Sequence, residues 1–204
     1  MNLSKDPLNL IITGVGGQGN VLASQLIGKA LVRESFYVTI GETYGASQRG
    51  GAVMSHLRIS KESQYSPLIP EGQADIVVAL EPVEALRVVG LYGNPSVCAV
   101  INSRPIFPTA VTVGDAKYPS LKKIQEAIRD LTQKFWFVEA TDAALALGSP
   151  IFTNIVMVGA LAGTHLIPAT KKTFEEAIRE NFPEKTHADN LKAFHQGMEM
   201  TQGQ

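Results

Sequence analysis

Three glycines near the start of the chain have the spacing of an anion- or nucleotide-binding turn. Residues 14–19 read Gly-Val-Gly-Gly-Gln-Gly and follow an apolar segment at 8–12. In a Gly-x-Gly-x-x-Gly pattern, the first glycine permits a tight strand-to-helix turn and the second lets the backbone approach a ligand. The third lets the helix pack close to its strand, and the free amides at the helix start favour an anion or a carbonyl oxygen. The candidate residues here are Gly14, Gly16, Gly17, Gln18, Gly19 and Asn20.

A second polar, glycine-rich loop is predicted over residues 42–51, and it contains an arginine. An arginine beside two glycines can direct its guanidinium group at a phosphate or a carboxylate, with backbone amides assisting. The alternative interpretation is a tight turn that carries a solvated arginine. The candidate residues of this loop are Tyr44, Gln48, Arg49, Gly50 and Gly51.

Alternating strand and helix patterns predict an α/β fold that would position both loops. Apolar runs and alternation predict strands at 8–13, 36–41, 52–60, 74–80, 97–101, 109–113 and 135–140. Helical periodicity predicts helices at 18–33, from Pro82 onward, and at 121–131, 151–166, 171–181 and 185–200. We therefore expect one domain over 1–204, with a core at about 8–165 and C-terminal helices at about 170–200.

This domain is expected to have three layers, with a mostly parallel, Rossmann-like sheet and helices on both faces. Some antiparallel pairing is expected, because the strand at 52–60 returns soon after its loop. We expect strands one and two to lie side by side, so that both loops share the carboxyl-end crevice where such folds bind ligands. Small residues at 159–163 suit close packing of the helix that contains them.

Two nucleotide-binding alternatives follow from the first loop. A nicotinamide dehydrogenase needs an acidic residue about 20 positions on to hold the ribose, and Glu42 is near that place. Against it, most of the chain is used in building one sheet, which leaves no second region for a substrate. A P-loop needs lysine and Ser/Thr after the last glycine, but Asn20 and Val21 stand there.

The other polar residues form no recognisable catalytic set. The four histidines have no metal-ligand spacing, and we interpret each as structural or surface; they are His56, His165, His187 and His195. Asn154 either bonds backbone near the first loop or serves as a cap or a satisfied core amide, and we favour the second role. Three carboxylates at strand ends have no evident partner: Asp115, Glu139 and Asp142. The catalytic residues, if the chain has any, stay unknown.

Composition narrows the function classes. The chain has 204 residues, 45% of them hydrophobic and 18% charged, with a net charge of −1, which gives no general attraction to nucleic acid or to anionic membranes. No apolar run approaches the roughly 20 residues that span a bilayer, and the polar start is unlike a secretory signal, so a cytoplasmic location is expected. The single cysteine, Cys98, cannot hold a four-cysteine iron–sulfur cluster and reads as a small core residue.

Several motifs together resemble the gamma-type subunit or domain of the 2-oxoacid:ferredoxin oxidoreductases. They are the glycine loop at 14–19, Tyr44-Gly45, the segment at 48–51, Ser55 with Arg58, the segment at 74–82, and the segment at 154–160. Within that group, Ser47-Gln48-Arg49-Gly50-Gly51 with a histidine at position 56 is most similar to the beta subunit of indolepyruvate oxidoreductase. The resemblance covers roughly residues 8–165, and the last two helices match only in general character.

The resemblance implies a role within a larger enzyme. These enzymes decarboxylate a 2-oxoacid on thiamine diphosphate with Mg, pass two electrons through iron–sulfur clusters to ferredoxin, and transfer the acyl group to coenzyme A. The cofactor and the clusters are carried by a larger catalytic subunit, so this chain is expected to bind no cofactor alone and to be inactive by itself. The resemblance favours an aryl pyruvate such as indolepyruvate as the substrate. Phenylglyoxylate-like acids, pyruvate, branched-chain oxoacids and 2-oxoglutarate stay open, because substrate contacts are expected mostly on the partner that carries the cofactor.

We therefore hypothesise that loops 14–20 and 42–51 face the catalytic subunit or the coenzyme A path. Arg49 would contact the anion, and the amides of residues 16–20 would form its cradle. A second hypothesis stays open, in which the chain is a stand-alone or scaffolding dinucleotide-binding module for NAD or FAD.

Overall fold

A six-stranded sheet forms the centre of the protein in the computed structural model, which describes residues 3–44 and 51–203. The strands, in chain order, are β1 Leu8–Val15, β2 Tyr37–Tyr44, β3 Ala52–Ser60, β4 Ile76–Ala79, β5 Cys98–Asn102 and β6 Lys134–Val138. Their spatial order is β2-β3-β1-β4-β5-β6. The neighbours from β1 to β6 pair parallel, whereas β3 pairs antiparallel with both β1 and β2.

Helices cover both faces of this sheet. They are α1 Asn20–Arg33, α2 Pro82–Tyr92, α3 Thr109–Thr112, α4 Leu121–Leu131, α5 Ala140–Ala146, α6 Thr153–Gly163, α7 Lys171–Asn181 and α8 His187–Thr201, with short 3-10 turns at Pro150–Phe152 and Glu184–Thr186. One apolar cluster packs α1 and α5 to α8 on one face, and a second packs α2 and α4 on the other. The predicted three-layer, mostly parallel α/β fold is confirmed. None of the described helices has both the length and the apolar character needed to cross a bilayer.

The prediction that strands one and two are neighbours is wrong. β3 lies between them, with Leu10 opposite Leu57 and Leu57 opposite Ile40. The reason is connectivity: the short link after β2 permits an antiparallel hairpin, whereas a parallel pair needs a long crossover. Because β3 is antiparallel to both β1 and β2, those two strands run in the same direction, and their carboxyl ends still lie at the same edge of the sheet.

The predicted strand at 109–113 is also wrong, because these residues form the short helix α3. Their β-branched side chains favour a strand, but the backbone makes local helical bonds. The Thr112 amide donates to the Pro108 carbonyl at 3.1 Å, and the Val113 amide donates to the Thr109 carbonyl at 2.9 Å. β5 already pairs with β4 and β6, so its two edges are occupied and this segment has no place beside it.

Small residues bring α6 and α8 into backbone contact. A Cβ atom placed on Gly159 would lie 2.0 Å from the Phe194 carbonyl oxygen, and one on Gly197 would lie 1.9 Å from the Val156 carbonyl oxygen. A Cβ atom on Gly163 would lie 2.4 Å from the Met198 carbonyl oxygen. The close packing predicted from the small residues of α6 is thus confirmed, and the C-terminal helix is part of the main core.

His56 is a buried neutral histidine within the sheet. Its Nδ1 accepts a hydrogen bond from the Ile69 amide at 3.4 Å, and its ring meets Tyr92 edge-on, with centroids 5.5 Å apart. Burial lowers the pKa of His56 below its ordinary value of 6.5. The structural role expected from the sequence matches these contacts.

This lowered pKa predicts an acid-sensitive fold. Since the unfolded chain protonates His56 at a higher pH than the folded chain does, stability is complete above about pH 6.5 and falls as the pH drops below that value. We expect His56→Asn, which keeps an acceptor near the Ile69 amide, to flatten the decline measured by urea unfolding between pH 7 and 5. His165→Asn, at an exposed histidine, is the control and should leave the slope unchanged. Equal slopes in wild type and His56→Asn would contradict the prediction.

Candidate functional site

The glycine loop connects β1 to α1 at the carboxyl edge of the sheet. Gly17 and Gly19 have positive φ angles of 104° and 87°, which side-chain-bearing residues rarely adopt. Gly14 is needed for a different reason, because a Cβ atom there would lie 2.6 Å from Gln18 Oε1 and 3.0 Å from Leu80 Cβ. Each of these three positions therefore requires glycine for a conformational or a steric reason.

Both ends of the Gln18 side-chain amide are hydrogen-bonded within the protein. Its Oε1 accepts from the Val15 amide at 2.7 Å, and its Nε2 donates to the Leu80 carbonyl at 2.8 Å. The same carbonyl accepts from Asn102 Nδ2 at 3.1 Å, and the Thr141 amide donates to Asn102 Oδ1 at 3.2 Å. This row of amides ties the ends of β1, β4 and β5 to the start of α5. Sequence reasoning missed Asn102, although a polar residue directly after a buried strand is a signal for such a tie.

Asn20 also points inward. Its Nδ2 donates to the Val53 carbonyl at 3.3 Å, while its buried Oδ1 has no hydrogen-bond partner among the described residues. A Cβ atom on Gly14 would lie 3.0 Å from that oxygen, which places it beneath the loop. The side chain therefore positions the loop, and the Asn20 backbone amide remains at the start of α1.

The two predicted loops meet at their bases. The Gly16 amide donates to the Gly51 carbonyl at 2.8 Å, so this amide is not free to join the predicted anion cradle. Tyr44 ends β2, with its side chain about half exposed at the same edge. The other predicted ligand residues of this loop, Gln48, Arg49 and Gly50, lie outside the described residues.

Glu42 belongs to β2, and its carboxylate is already hydrogen-bonded within the protein. Its carboxylate accepts from Ser55 Oγ at 2.6 Å and from Ser24 Oγ at 3.1 Å. These bonds link β2, β3 and α1. A ribose at the loop would have to displace both hydroxyls, which argues against the dinucleotide arrangement that the spacing suggested.

Two cavities flank the glycine loop. The helix-side cavity, of about 560 Å³, lies between the loop and the starts of α5 and α6. It is lined by Gly17, Gln18, Gly19, Leu22, Arg104, Ile106, Thr141, Ser149, Pro150, Ile151, Thr153 and Asn154. The strand-side cavity, of about 500 Å³, is lined by Gly16, Gly17, Gly19, Asn20, Val21, Tyr44 and Val53. Both reach the Gly17 and Gly19 backbone.

Asn154 and Arg104 come to the helix-side cavity from distant parts of the chain. Asn154 lies in the first turn of α6, where its Oδ1 accepts from the Ile155 amide at 2.9 Å, but it does not cap the helix, whose N-cap is Phe152. Its Nδ2 nevertheless lies against the loop, because a Cβ atom on Gly19 would be 2.3 Å away. Arg104 was missed from the sequence, although it is a cation soon after a strand that ends at the ligand edge. Its Nη1 lies 3.5 Å from Asp142 Oδ1, so Asp142 has a partner after all.

A buried carboxylate holds the segment after β5 onto this edge. Glu81 caps α2 by accepting from the Glu84 amide at 2.9 Å, and it also accepts from the Ile106 amide at 3.4 Å and from the Tyr118 hydroxyl. Burial and the adjacent Glu81 carboxylate raise the pKa of Tyr118, so its hydroxyl keeps its proton and donates. These hydrogen bonds hold the segment at residues 103–120 beside the glycine loop.

The remaining candidates lie elsewhere or have surface roles. His187 bonds the Phe182 carbonyl at 2.8 Å, and His195 bonds Glu175 at 2.6 Å. Cys98 is half-buried at the start of β5, and burial raises the pKa of its thiol. Within residues 3–44 and 51–203, no three His, Cys, Asp or Glu side chains come together as a metal site.

Comparison with known proteins places this architecture in a family. The family model for pyruvate ferredoxin/flavodoxin oxidoreductase matches residues 9–200. The chain belongs to this family. The chain is 43% identical over 190 residues, or 93% of each chain, to indolepyruvate oxidoreductase subunit IorB of Archaeoglobus fulgidus. The 2-oxoglutarate synthase subunit KorC of Methanothermobacter thermautotrophicus is 29% identical over 191 residues, or 93% of this chain and 92% of KorC.

The family fold also occurs inside a longer protein. The solved 2-oxoglutarate:ferredoxin oxidoreductase from Magnetococcus marinus superposes with a TM-score of 0.74 at 21% identity. The match covers 97% of this chain and 31% of that one. The resemblance to the gamma-type subunits of 2-oxoacid:ferredoxin oxidoreductases is confirmed.

Proposed function

We propose that this chain is the subunit without iron–sulfur clusters of an indolepyruvate-type 2-oxoacid:ferredoxin oxidoreductase. The observation that carries the proposal is the 43% identity to an IorB subunit over 93% of both chains, against 29% for a 2-oxoglutarate synthase subunit. The substrate of the complex is then an aryl pyruvate such as indolepyruvate. The larger catalytic subunit supplies thiamine diphosphate, Mg and the iron–sulfur clusters, and ferredoxin accepts the electrons.

In this proposal the carboxyl edge of the sheet is the working face of the chain. The 2-oxoacid loses carbon dioxide, two electrons leave through the clusters to ferredoxin, and the acyl group passes to the coenzyme A sulfur. The glycine loop and its two cavities would form one wall of the cleft through which coenzyme A or substrate reaches the partner's cofactor. Arg49 remains a proposed anion contact of this cleft.

Exposed apolar side chains around both cavities support a partner surface there. We name five residues the carboxyl-edge rim: Val21, Tyr44, Ile106 and Ile151, which line the two cavities, and Phe107, which follows Ile106 in the chain. Ile151 is 74% exposed and Phe107 58% exposed, which is unfavourable for apolar groups that face water. Apolar residues gathered around a functional cavity are typical of a protein-binding surface.

A charge placed on this rim should prevent assembly without unfolding the chain. Since burying an unpaired carboxylate in an apolar interface is costly, we expect Ile151→Asp to weaken binding to the catalytic subunit by about tenfold or more. The measurement is co-purification and the dissociation constant from titration of the two subunits. Leu131→Asp, at an exposed apolar residue that ends α4 on the opposite sheet edge, is the control and should bind normally. Equal binding by both variants would place the partner elsewhere.

Reconstitution tests the proposed activity. The chain is co-expressed with the catalytic subunit from the same cell, and ferredoxin reduction is measured without oxygen in the presence of coenzyme A. We expect turnover with indolepyruvate to exceed turnover with pyruvate or 2-oxoglutarate, and each subunit alone to be inactive. Preference for 2-oxoglutarate, or full activity of the larger subunit alone, would contradict the proposal.

The dinucleotide module is the weaker alternative. Ser24 and Ser55 already occupy the carboxylate of Glu42, which a ribose would need. Saturable binding of NAD or FAD by the isolated chain would favour this alternative.

A further inference from the structure

We propose that the buried carboxylate of Glu81 is a latch that holds the segment at residues 103–120 in the conformation that docks to the catalytic subunit. We call this segment the strap. It carries two residues of the carboxyl-edge rim, Ile106 and Phe107. The latch rests on the geometry of this chain alone, and its use in docking rests on the proposed function.

The strap has no hydrophobic anchor of its own. It begins directly after Asn102, which is fully buried, yet none of residues 103–120 is buried. Its apolar side chains are exposed instead, Phe107 to 58% and Val113 to 62%. The helix within it, α3, has only four residues, and an isolated helix of that length is unstable in water. Segments with few buried contacts open locally at low cost, so a specific fastening is needed to keep the strap in one conformation.

One oxygen atom of Glu81 fastens both arms of the strap. Oε1 accepts hydrogen bonds from the Ile106 amide at 3.4 Å and from the Tyr118 hydroxyl. The other oxygen, Oε2, accepts from the Glu84 amide at 2.9 Å and thereby caps α2. Since α2 packs against the sheet, Glu81 joins the strap to the body of the domain.

The burial of Glu81 makes these bonds strong. The residue is only 2% exposed, and a carboxylate removed from water needs hydrogen-bond donors around it. Hydrogen bonds to an ionised acceptor are shorter and stronger than those between neutral groups. Burial and the adjacent carboxylate also raise the pKa of Tyr118 above its ordinary value, so its hydroxyl keeps the proton that it donates. An open strap would leave the carboxylate short of donors, which favours the closed conformation.

Tyr118 connects the latch to the rim. Its hydroxyl binds Glu81, while its ring meets the Phe107 ring edge-on, with centroids 5.1 Å apart. These three residues line a small cavity of about 120 Å³ together with Val15 and Ala52, which lie at the bases of the two predicted loops. The strap is therefore closed against the same edge of the sheet as the glycine loop.

A second pair of contacts holds only the beginning of the strap. The Ser103 amide donates to the Val138 carbonyl at 2.9 Å, and Arg104 lies 3.5 Å from Asp142. The side chains of Arg104 and Asp142 are both more than half exposed, and exposed pairs of this kind are weak. Neither contact reaches Phe107, so the position of this rim residue depends on the latch.

Hydrogen exchange of the full chain tests the latch. Tyr118→Phe removes the donated hydroxyl and keeps both the ring and the cap of α2. We expect peptides from residues 103–120 to exchange about threefold to tenfold faster than in wild type, the effect of losing one hydrogen bond to a charged group. Tyr65→Phe, at a partly exposed tyrosine that packs against Arg58 outside the strap, is the matched control and should exchange like wild type. Wild-type exchange rates in Tyr118→Phe would overturn the latch.

A second variant tests Glu81 as the acceptor. Glu81→Gln keeps one acceptor oxygen where the carboxylate has two, so it cannot serve both α2 and the two arms of the strap. We expect the strap peptides of this variant to exchange at least as fast as those of Tyr118→Phe. Exchange at the wild-type rate would overturn the assignment of Glu81.

Titration with the catalytic subunit tests the use of the latch in docking. We expect Tyr118→Phe to raise the Kd of the two subunits about twofold to fivefold, because a smaller fraction of the chain holds the docking conformation. The effect should appear in Kd and leave kcat of the saturated complex with indolepyruvate at the wild-type value, since Tyr118 acts through the strap. Faster exchange with a wild-type Kd, or an equal rise of Kd in Tyr65→Phe, would overturn the docking role. Absence of indolepyruvate turnover in the wild-type complex would overturn the proposed function, and the exchange experiment would still decide the latch.

Discussion

Gly159→Ala is expected to lower the free energy of unfolding by about 3 kcal/mol, the upper part of the range for inserting atoms into a packed core. The added Cβ atom would lie 2.0 Å from the Phe194 carbonyl oxygen, far inside contact distance. The obstacle is backbone of α8, which cannot rotate away as a side chain can. α6 and α8 would have to separate, which would disturb the packing of Phe194, a fully buried residue of α8.

The matched control is a second glycine-to-alanine substitution, for which we expect the free energy of unfolding to rise instead of fall. Gly90 lies in α2 with no atom within 4 Å of a Cβ placed on it. Gly90→Ala should therefore raise the free energy of unfolding by about 0.5–1 kcal/mol, because alanine loses less backbone entropy in a helix. Urea unfolding, followed by the fluorescence of the one tryptophan, Trp136, measures both. A Gly159→Ala variant as stable as wild type would show that the two helices are not held at this distance.

Gly19→Ala is expected to reduce the turnover of the reconstituted complex by about tenfold or more, since small displacements of a positioned group can cost that much. Two costs act together at this position. The φ angle of 87° is strained for alanine, and the new Cβ atom would lie 2.3 Å from Asn154 Nδ2. The loop must shift, or Asn154 must turn away from the cavity, and either change disturbs the proposed cleft.

Gly72→Ala separates these two costs. Gly72 also has a positive φ angle, of 70°, but the nearest atom to a Cβ placed there is 4.0 Å away, and the residue precedes β4 at the opposite sheet edge. Both variants should lose roughly 1 kcal/mol of stability from backbone strain. Turnover should fall only in Gly19→Ala. If Gly72→Ala lost as much turnover, general destabilisation would explain the effect and the loop would have no special role.

Local patterns predicted most of the elements because their causes lie within a few residues. The helix at 171–181 was predicted from its periodicity with the bounds observed, and a capping box formed by Thr170 and Thr173 fixes its start. Pro82 opens α2 as expected, because its fixed φ angle and missing amide suit the first turn of a helix. The glycine loop was recognised from its spacing, and Gly17 and Gly19 have the conformations that require glycine.

Local patterns failed where the cause lies between distant segments. β-branched residues at 109–113 predicted a strand, but both edges of β5 were already paired. Glu42 had the spacing of a ribose ligand, but Ser24 and Ser55 bind it from α1 and β3. Neither competing interaction can be read from the spacing of residues along the chain.

The sequence by itself determined the family, the alternation of strands and helices, and the position of the glycine loop, because each depends on short-range periodicity or on a motif. Only the tertiary structure decided the strand order and what surrounds the loop. Arg104 and Asn154 lie 85 or more residues beyond Gly19, yet they line the same cavity. They meet because parallel strands direct successive connections to one sheet edge. The glycine spacing therefore predicted a loop able to receive an anion, and the fold supplied the donors around it.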